Sequence, residues 1–64
     1  MKGTILFWSN GWGWIKSNAV RRRLFVNHVD LINCKELKEG DNIEFNSIVE
    51  TMHGLQAKNV KKVD

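Results

Sequence analysis

The sequence lacks the features of several protein classes, since its 64 residues include no proline, one cysteine and no long apolar run. Cys34 has no second cysteine with which to form an internal disulfide bond, which is typical of proteins in a reducing compartment. The longest apolar stretch, residues 5–8, is far shorter than the roughly 20 residues of a transmembrane helix. The chain also does not open with a signal-peptide pattern. We therefore expect a soluble, cytoplasmic protein without a membrane partner.

Side chains that support catalysis or metal binding are also few. The glutamates have no spacing that pairs two carboxylates, and no Ser–His or Cys–His arrangement is indicated. His28 and Cys34 would supply at most two metal ligands, whereas a zinc site usually has four. The sequence therefore predicts no enzymatic activity, no metal site and no cofactor.

The length and charge predict one small basic domain, residues 1–64. A chain of this size buries only about 60% of the surface that its unfolded form exposes, so its core is small. Ten Lys and Arg stand against seven Asp and Glu, which gives a net charge of +3. The cations cluster at positions 21–23 and at positions 58, 61 and 62. Such clusters are typical of proteins that bind polyanions, although three arginines in a row also occur on solvated surfaces.

Short stretches of β-branched and aromatic residues, separated by turn signals, predict an all-β fold. Asn10-Gly11 is a strong hairpin signal, and residues 17–19 form a second, polar turn. A longer connection, 29–39, allows a helical turn with Asp30 as its N-cap and Gly40 at its C-terminal end. Closure of the sheet into a barrel would remove its exposed edges. We expect a small closed barrel with strands at residues 2–8, 12–16, 22–28, 42–50 and 55–63.

The segment Gly11-Trp12-Gly13-Trp14-Ile15 allows two interpretations. In an extended strand the two tryptophans point to the same face, and the glycines leave the other face open or close to a neighbouring strand. One interpretation is a strand in the hydrophobic core of the barrel. The other is an aromatic surface on which flat ligands such as nucleobases stack.

Five segments of the chain, in order, resemble motifs of the bacterial cold-shock domain proteins. They are Lys-Gly-Thr-Ile at 2–5, Gly-Trp-Gly-Trp-Ile at 11–15, Leu-Phe-Val-Asn-His at 24–28, Leu-Lys-Glu-Gly-Asp at 37–41 and Gly-Leu-Gln-Ala-Lys-Asn-Val at 54–60. The resemblance covers essentially the whole chain, as a short and divergent member. It implies a five-stranded antiparallel OB-fold barrel. It also implies binding of single-stranded RNA or DNA with low sequence specificity, in an RNA-chaperone, transcription-antitermination or other gene-regulatory role.

The resemblance implies base-stacking roles for five aromatic residues. Trp12 and Trp14 stand where the family has the two phenylalanines of its first ribonucleoprotein motif, and Phe25 stands at the stacking phenylalanine of the second. Phe7 and Trp8 occupy the family's Trp-Phe pair in reversed order. Neighbouring residues of a strand face opposite ways unless a bulge intervenes, so both are candidates and we expect Phe7 to face outward.

Several positions depart from the family pattern. Asn27 replaces a histidine and His28 replaces a phenylalanine, and we retain both as candidate contacts. The arginine block lies where the family is usually acidic. Guanidinium groups suit bidentate pairing with phosphate. The predicted phosphate contacts are Lys16, Arg21, Arg22, Arg23 and Lys58.

Two alternatives stay open at the level of the sequence. A face rich in Trp and Arg is also typical of protein-binding hot spots, so the barrel could be a protein–protein interaction module that has lost nucleic-acid binding. The replacement of a ligand-contacting lysine by Leu6 favours this alternative. We expect a monomer, with a strand-swapped dimer as the second possibility. RNA and DNA are both expected partners, because stacking does not read the 2′-hydroxyl group.

Overall fold

A computed structural model describes residues 1–63 as one strongly curled β-sheet. Within this range the only helix is a 3₁₀ turn at His28–Asp30. No helix among these residues has the length and apolar character needed to cross a membrane. The strands are β1 Lys2–Ser9, β2 Trp12–Ser17, β3 Leu24–Asn27, β4 Asn42–Glu44, β5 Ser47–Thr51, β6 Gly54–Lys58 and β7 Lys61–Val63.

The last four strands are two long strands, each with one interruption. β4 pairs with β7 and β5 pairs with β6, both antiparallel and in the same register, so the four form one bent hairpin. The bend falls at Phe45 and Asn46 on one side and at Asn59 and Val60 on the other. Asn59 has a φ of 55°, and the amide of Asn46 still donates to the Lys58 carbonyl across the bend. The structure therefore has seven strands where five were predicted, because the fourth and the fifth predicted strands are each interrupted once.

The strand pairing follows a ring. When β4–β5 and β6–β7 are counted as single strands, hydrogen-bonded pairing runs from β1 through the long hairpin to β3, then β2, and back to β1. The expectation of an antiparallel sheet needs one correction, because β3 and β6 are parallel and meet at Phe25 and Gln56. The OB-fold barrel is otherwise as predicted.

The turn between β1 and β2 has the conformation that its sequence predicts. Asn10 and Gly11 have φ angles of 54° and 89°, the left-handed pair that a two-residue type I′ hairpin requires. Ser9 and Trp12 consequently face each other as the last pair of the hairpin. This turn fixes which residues of β2 face outward.

A bulge in β1 separates two neighbouring aromatic residues. Between Ile5 and Phe7 the register shifts by one residue, so Leu6 has no partner on β2. Ile5 is buried, Leu6 and Phe7 are both exposed, and Trp8 turns back to pack against the core. The bulge thereby gives Phe7 the outward position that we expected for it.

The core lies inside the curled sheet and follows the period of the strands. In β2 the side chains of Ile15 and Ser17 point inward, whereas Trp12, Trp14 and Lys16 point outward. The inner residues of the other strands complete one cluster of apolar side chains. The buried members are Ile5, Ile15, Leu24, Val26, Leu37, Ile43, Phe45, Ala57 and Val60.

The helical turn predicted over 29–39 is wrong. Asn27, and not Asp30, caps the short 3₁₀ turn, and its side chain accepts a hydrogen bond from the Val29 amide. The backbone after this turn pairs with Val60, which donates to the Asp30 carbonyl and accepts from Ile32, so it is not free to continue as a helix.

The glycine that we assigned to the end of that helix serves a tight turn instead. Gly40 has a φ of 91°, and the Asp41 amide donates to the Lys38 carbonyl. A positive φ at the third position is what a type II turn requires. The turn docks on β1, where Ile5 exchanges backbone hydrogen bonds with Gly40 and Asp41.

Candidate nucleic-acid interface

Four aromatic side chains form a continuous surface on the outer face of β1, β2 and β3. We call Phe7, Trp12, Trp14 and Phe25 the aromatic surface. Strand pairing sets Trp14 between Phe7 on one side and Phe25 on the other, while Trp12 lies two residues along the same strand. Each of the four is at least partly exposed. The second interpretation of the Gly-Trp-Gly-Trp segment therefore matches the placement of both tryptophans.

The rings hold one another in place. Trp12 lies 5.3 Å from Phe7 and 5.9 Å from Phe25 between ring centroids, and its plane is inclined by only 25° to that of Phe25. Trp14 meets Trp12 and Phe25 edge to face, at 6.1 and 5.7 Å. Such pairs are favourable in themselves and reduce the freedom of each ring. The contacts between the rings thus join the four side chains into one surface.

Trp8 is not part of this surface. Its indole lies on the inner side of β2 over Gly13, between the two outward tryptophans. A Cβ atom on Gly13 would come 2.8 Å from Trp8 Cε3 and would collide with the Phe7 carbonyl oxygen. At Gly13 the strands β1 and β2 therefore approach each other closely. Trp8 lies on the inner side of the sheet, whereas the other four aromatic candidates lie on the outer side.

One end of the aromatic surface carries an amide and an imidazole side chain. Asn27 and His28 line the same shallow depression as Trp12, Trp14 and Phe25. The Asn27 side-chain oxygen is already engaged by the Val29 amide at 3.2 Å, and His28 Nδ1 lies 3.2 Å from the Gly11 carbonyl oxygen. Both side chains are partly exposed, so a ligand could still reach the amide nitrogen of Asn27 and the second ring nitrogen of His28.

The opposite end is cationic. Lys16 follows Trp14 on the outer face of β2, and Arg21, Arg22 and Arg23 are exposed just before β3. Within residues 1–63 no carboxylate lies in ion-pair distance of these four side chains. Arg23 turns back over the aromatic surface, with its Cζ 3.8 Å from the centroid of the Trp14 ring. Four cations without an ion pair among the described residues thus lie at this end, and Arg23 joins them to the exposed rings.

Lys58 stands apart from this cationic end. Its Nζ is 3.2 Å from Asp30 Oδ1, and Gln56 donates to the other oxygen of the same carboxylate at 2.8 Å. Lys61 and Lys62 are likewise next to carboxylates, at 3.8 Å each from Glu44 and Asp41. The C-terminal lysine cluster therefore has its charge largely matched within the fold, in contrast to the arginine block.

Sequence reasoning did not single out His53. This residue lies in the tight turn between β5 and β6 and lines the depression over Trp12, Trp14 and Phe25 together with Asn10. It also borders a second groove, with Arg22, Arg23 and Leu55. The parallel pairing of β6 with β3 brings it there, and no local pattern in the sequence indicates a parallel pair. Its position in a turn between two strands was the one available signal.

The residues 1–63 contain no group of three or more His, Cys, Asp or Glu side chains placed to hold a metal ion. Cys34 is a free, half-buried thiol against the core. The outer face offers ring planes, guanidinium groups and amides. Such groups are typical of surfaces on which unpaired bases stack.

A curled five-strand barrel with exposed rings and cations on one face defines an OB-type binding module. The chain belongs to the 'Cold-shock' DNA-binding domain family, whose model matches residues 1–63. The family is a nucleic-acid-binding one, so the general expectation of nucleic-acid binding is supported.

A solved structure is similar over almost the whole chain. It is Drosophila Unr CSD456, with a TM-score of 0.78 and 25% sequence identity over 98% of this chain. The chain spans only 26% of the length of that protein chain. No curated protein sequence matches.

Proposed function

We propose that this domain binds single-stranded RNA or DNA with low sequence specificity, by stacking unpaired bases on Phe7, Trp12, Trp14 and Phe25. The observation that carries the proposal is the contact of Arg23, at the cationic end, with Trp14 of the aromatic surface. Stacking of a base on an aromatic ring is typically worth about 1–3 kcal/mol and accepts every base, because each has a π-face.

The phosphate contacts in this proposal come from Lys16, Arg21, Arg22 and Arg23. These cations have no internal carboxylate partner within the described residues, so they can neutralise phosphates without first breaking an ion pair. Lys58 is held by Asp30 and contributes less. Asn27, His28 and His53 border the rings at the sides and would meet base edges.

A duplex hides its base faces, so the domain would bind unpaired strands and shift hairpins toward the open form by mass action. We infer a role in keeping RNA unpaired, as an RNA chaperone, a transcription antiterminator or another gene regulator. In this proposal the domain is a short, divergent cold-shock protein of the bacterial type. It acts in the cytoplasm as a monomer and has no enzymatic activity.

Fluorescence anisotropy of a labelled single strand tests the proposal. We expect saturable binding of both a DNA and an RNA oligonucleotide, which unlabelled single strands reverse and an equal concentration of duplex does not. A labelled hairpin with a fluorophore and a quencher at its ends should open as protein is added. If the labelled strand does not bind even at low salt, or if duplex competes equally well, the proposal is wrong.

The second candidate function is protein binding. Exposed tryptophan and arginine side chains in contact, as Trp14 and Arg23 are, also resemble the centre of a protein interface. A protein-binding module would ignore oligonucleotides at moderate salt and would retain a protein partner in a pull-down. A Trp14→Ala variant that still retained that partner would contradict this second candidate.

A further inference from the structure

Arg23 lies over the Trp14 ring of the aromatic surface. Its Cζ lies 3.8 Å from the Trp14 ring centroid, which is van der Waals contact with the face of the indole. The side chain is exposed and no carboxylate within residues 1–63 holds it elsewhere. A base that approaches Trp14 from this side meets N–H donors before it meets the ring.

A guanidinium group presents five N–H donors in a fixed planar fork and has no acceptor. Contact with the indole restricts the side chain, so less conformational entropy is lost when the fork binds. Arg23 also lies two residues before Phe25, and their side chains share the outer face of the sheet. The edge of a base stacked on Phe25 would therefore lie within reach of the fork.

The four bases differ in what they offer to such a fork. Guanine presents two neighbouring acceptors, O6 and N7, and pairs with arginine through two hydrogen bonds. At the corresponding edge adenine places an amino donor beside its N7, thymine offers O4 beside a methyl group, and cytosine presents an amino donor, so none of these three can accept two bonds there. Guanine has the larger ring system as well, which favours stacking.

Resting on the proposed function, we propose that Arg23, positioned by Trp14, makes the domain prefer guanine at the nucleotide next to the Trp14–Phe25 pair. The rest of the aromatic surface accepts any base. The domain would thus have one selective position within an otherwise tolerant site. Within residues 1–63 neither Arg21 nor Arg22 lies over an aromatic ring, and both keep the role of phosphate contacts.

Equilibrium binding of matched hexanucleotides tests this inference. One strand alternates thymine with guanine, so that one of any two neighbouring registers places guanine at the selective position, and the others alternate thymine with adenine or contain thymine only. We expect the guanine strand to bind wild-type protein more tightly by roughly five- to 100-fold. Replacement of guanine by 7-deazaguanine, which lacks the N7 acceptor, should remove most of this preference, whereas hypoxanthine, which keeps O6 and N7, should retain it.

Two protein variants provide the matched pair. Arg23→Lys keeps the charge but loses the planar fork, so the ratio of guanine-strand to thymine-strand affinity should fall to within about twofold of unity. Arg21→Lys makes the same chemical change away from Trp14, so that ratio should stay as in the wild type. Equal wild-type affinity for the guanine and thymine strands, or a preference that survives both Arg23→Lys and 7-deazaguanine, overturns the inference alone. Absence of binding to every hexanucleotide overturns the proposed function with it.

Discussion

Trp8 Cε3 lies 2.8 Å from the position that a Cβ atom on Gly13 would occupy. The two residues face each other across β1 and β2, and the Phe7 carbonyl oxygen crowds the same position. The glycine between the two outward tryptophans therefore allows Trp8 to close over the strand from inside.

Gly13→Ala should destabilise the domain without touching the ligand face. The added methyl group overlaps backbone as well as a side chain, and overpacking of this kind typically costs about 1–3 kcal/mol. Thermal or urea unfolding measures the loss. Gly40→Ala is the comparison, because a Cβ there meets no atom within 4 Å and only the strain of its positive φ remains. An unfolding free energy for Gly13→Ala equal to that of the wild type would contradict the described packing.

Trp14→Ala and Trp8→Ala should affect different properties. Removal of Trp14 should weaken oligonucleotide binding by about 1–3 kcal/mol and leave the fold largely intact, because the indole lies on the outer face. Removal of Trp8 should mainly lower the free energy of unfolding, by up to about 3 kcal/mol, because the indole packs on the core. Binding and urea unfolding of both variants separate the two roles. If Trp14→Ala unfolds the domain instead, Trp14 is a core residue and the aromatic surface is misplaced.

The sequence predicts which face of the sheet some of the aromatic residues occupy, but not all of them. Trp12, Trp14 and Phe25 follow from period-two alternation once the Asn10-Gly11 turn fixes the hairpin register. Phe7 and Trp8 do not, because alternation alone only puts them on opposite faces. The bulge at Leu6 decides which one faces outward, and no local residue pattern predicts that bulge.

The arginine block should carry most of the salt dependence of binding. Replacement of Arg21, Arg22 and Arg23 together by Gln should weaken binding and flatten the log–log salt dependence, which for single strands has a slope of about −0.7 per phosphate neutralised. The control replaces Lys38, Lys61 and Lys62 by Gln. It removes equal charge but leaves the cationic end of the aromatic surface intact. An unchanged slope in the arginine variant, or an equal change in the control, would show that the arginines do not contact the phosphates.

Lys58 should behave as a structural residue more than as a ligand contact. Its ammonium group pairs with Asp30, which also accepts a hydrogen bond from Gln56. Lys58→Gln should therefore leave the salt slope of binding unchanged and cost at most about 1 kcal/mol of stability, because this pair is partly exposed to solvent. Asp30→Ala should cost about 1–3 kcal/mol, because it leaves two donors unpaired. A flattened slope in Lys58→Gln would return this lysine to the phosphate contacts.

Long-range contacts explain what local patterns missed. The Asp30 partner of Lys58 lies 28 residues away in the chain, so the sequence offered Lys58 only as one more cation. A long-range contact also explains the connection at 29–39. Its residues allow a helix, but its backbone forms hydrogen bonds with Val60 instead. His53 reaches the rings through the parallel pair of β3 and β6, which no nearby residues indicate.

The most direct test of the central claim uses the tryptophans as their own reporters. In a Trp8→Phe variant the two remaining indoles, Trp12 and Trp14, both belong to the aromatic surface, so their fluorescence reports on that surface alone. Titration with a short single-stranded oligothymidine should quench this emission strongly, less at moderate than at low salt, while a duplex control should leave it unchanged. A folded variant with no quenching by the single strand at either salt concentration would contradict base stacking on this surface.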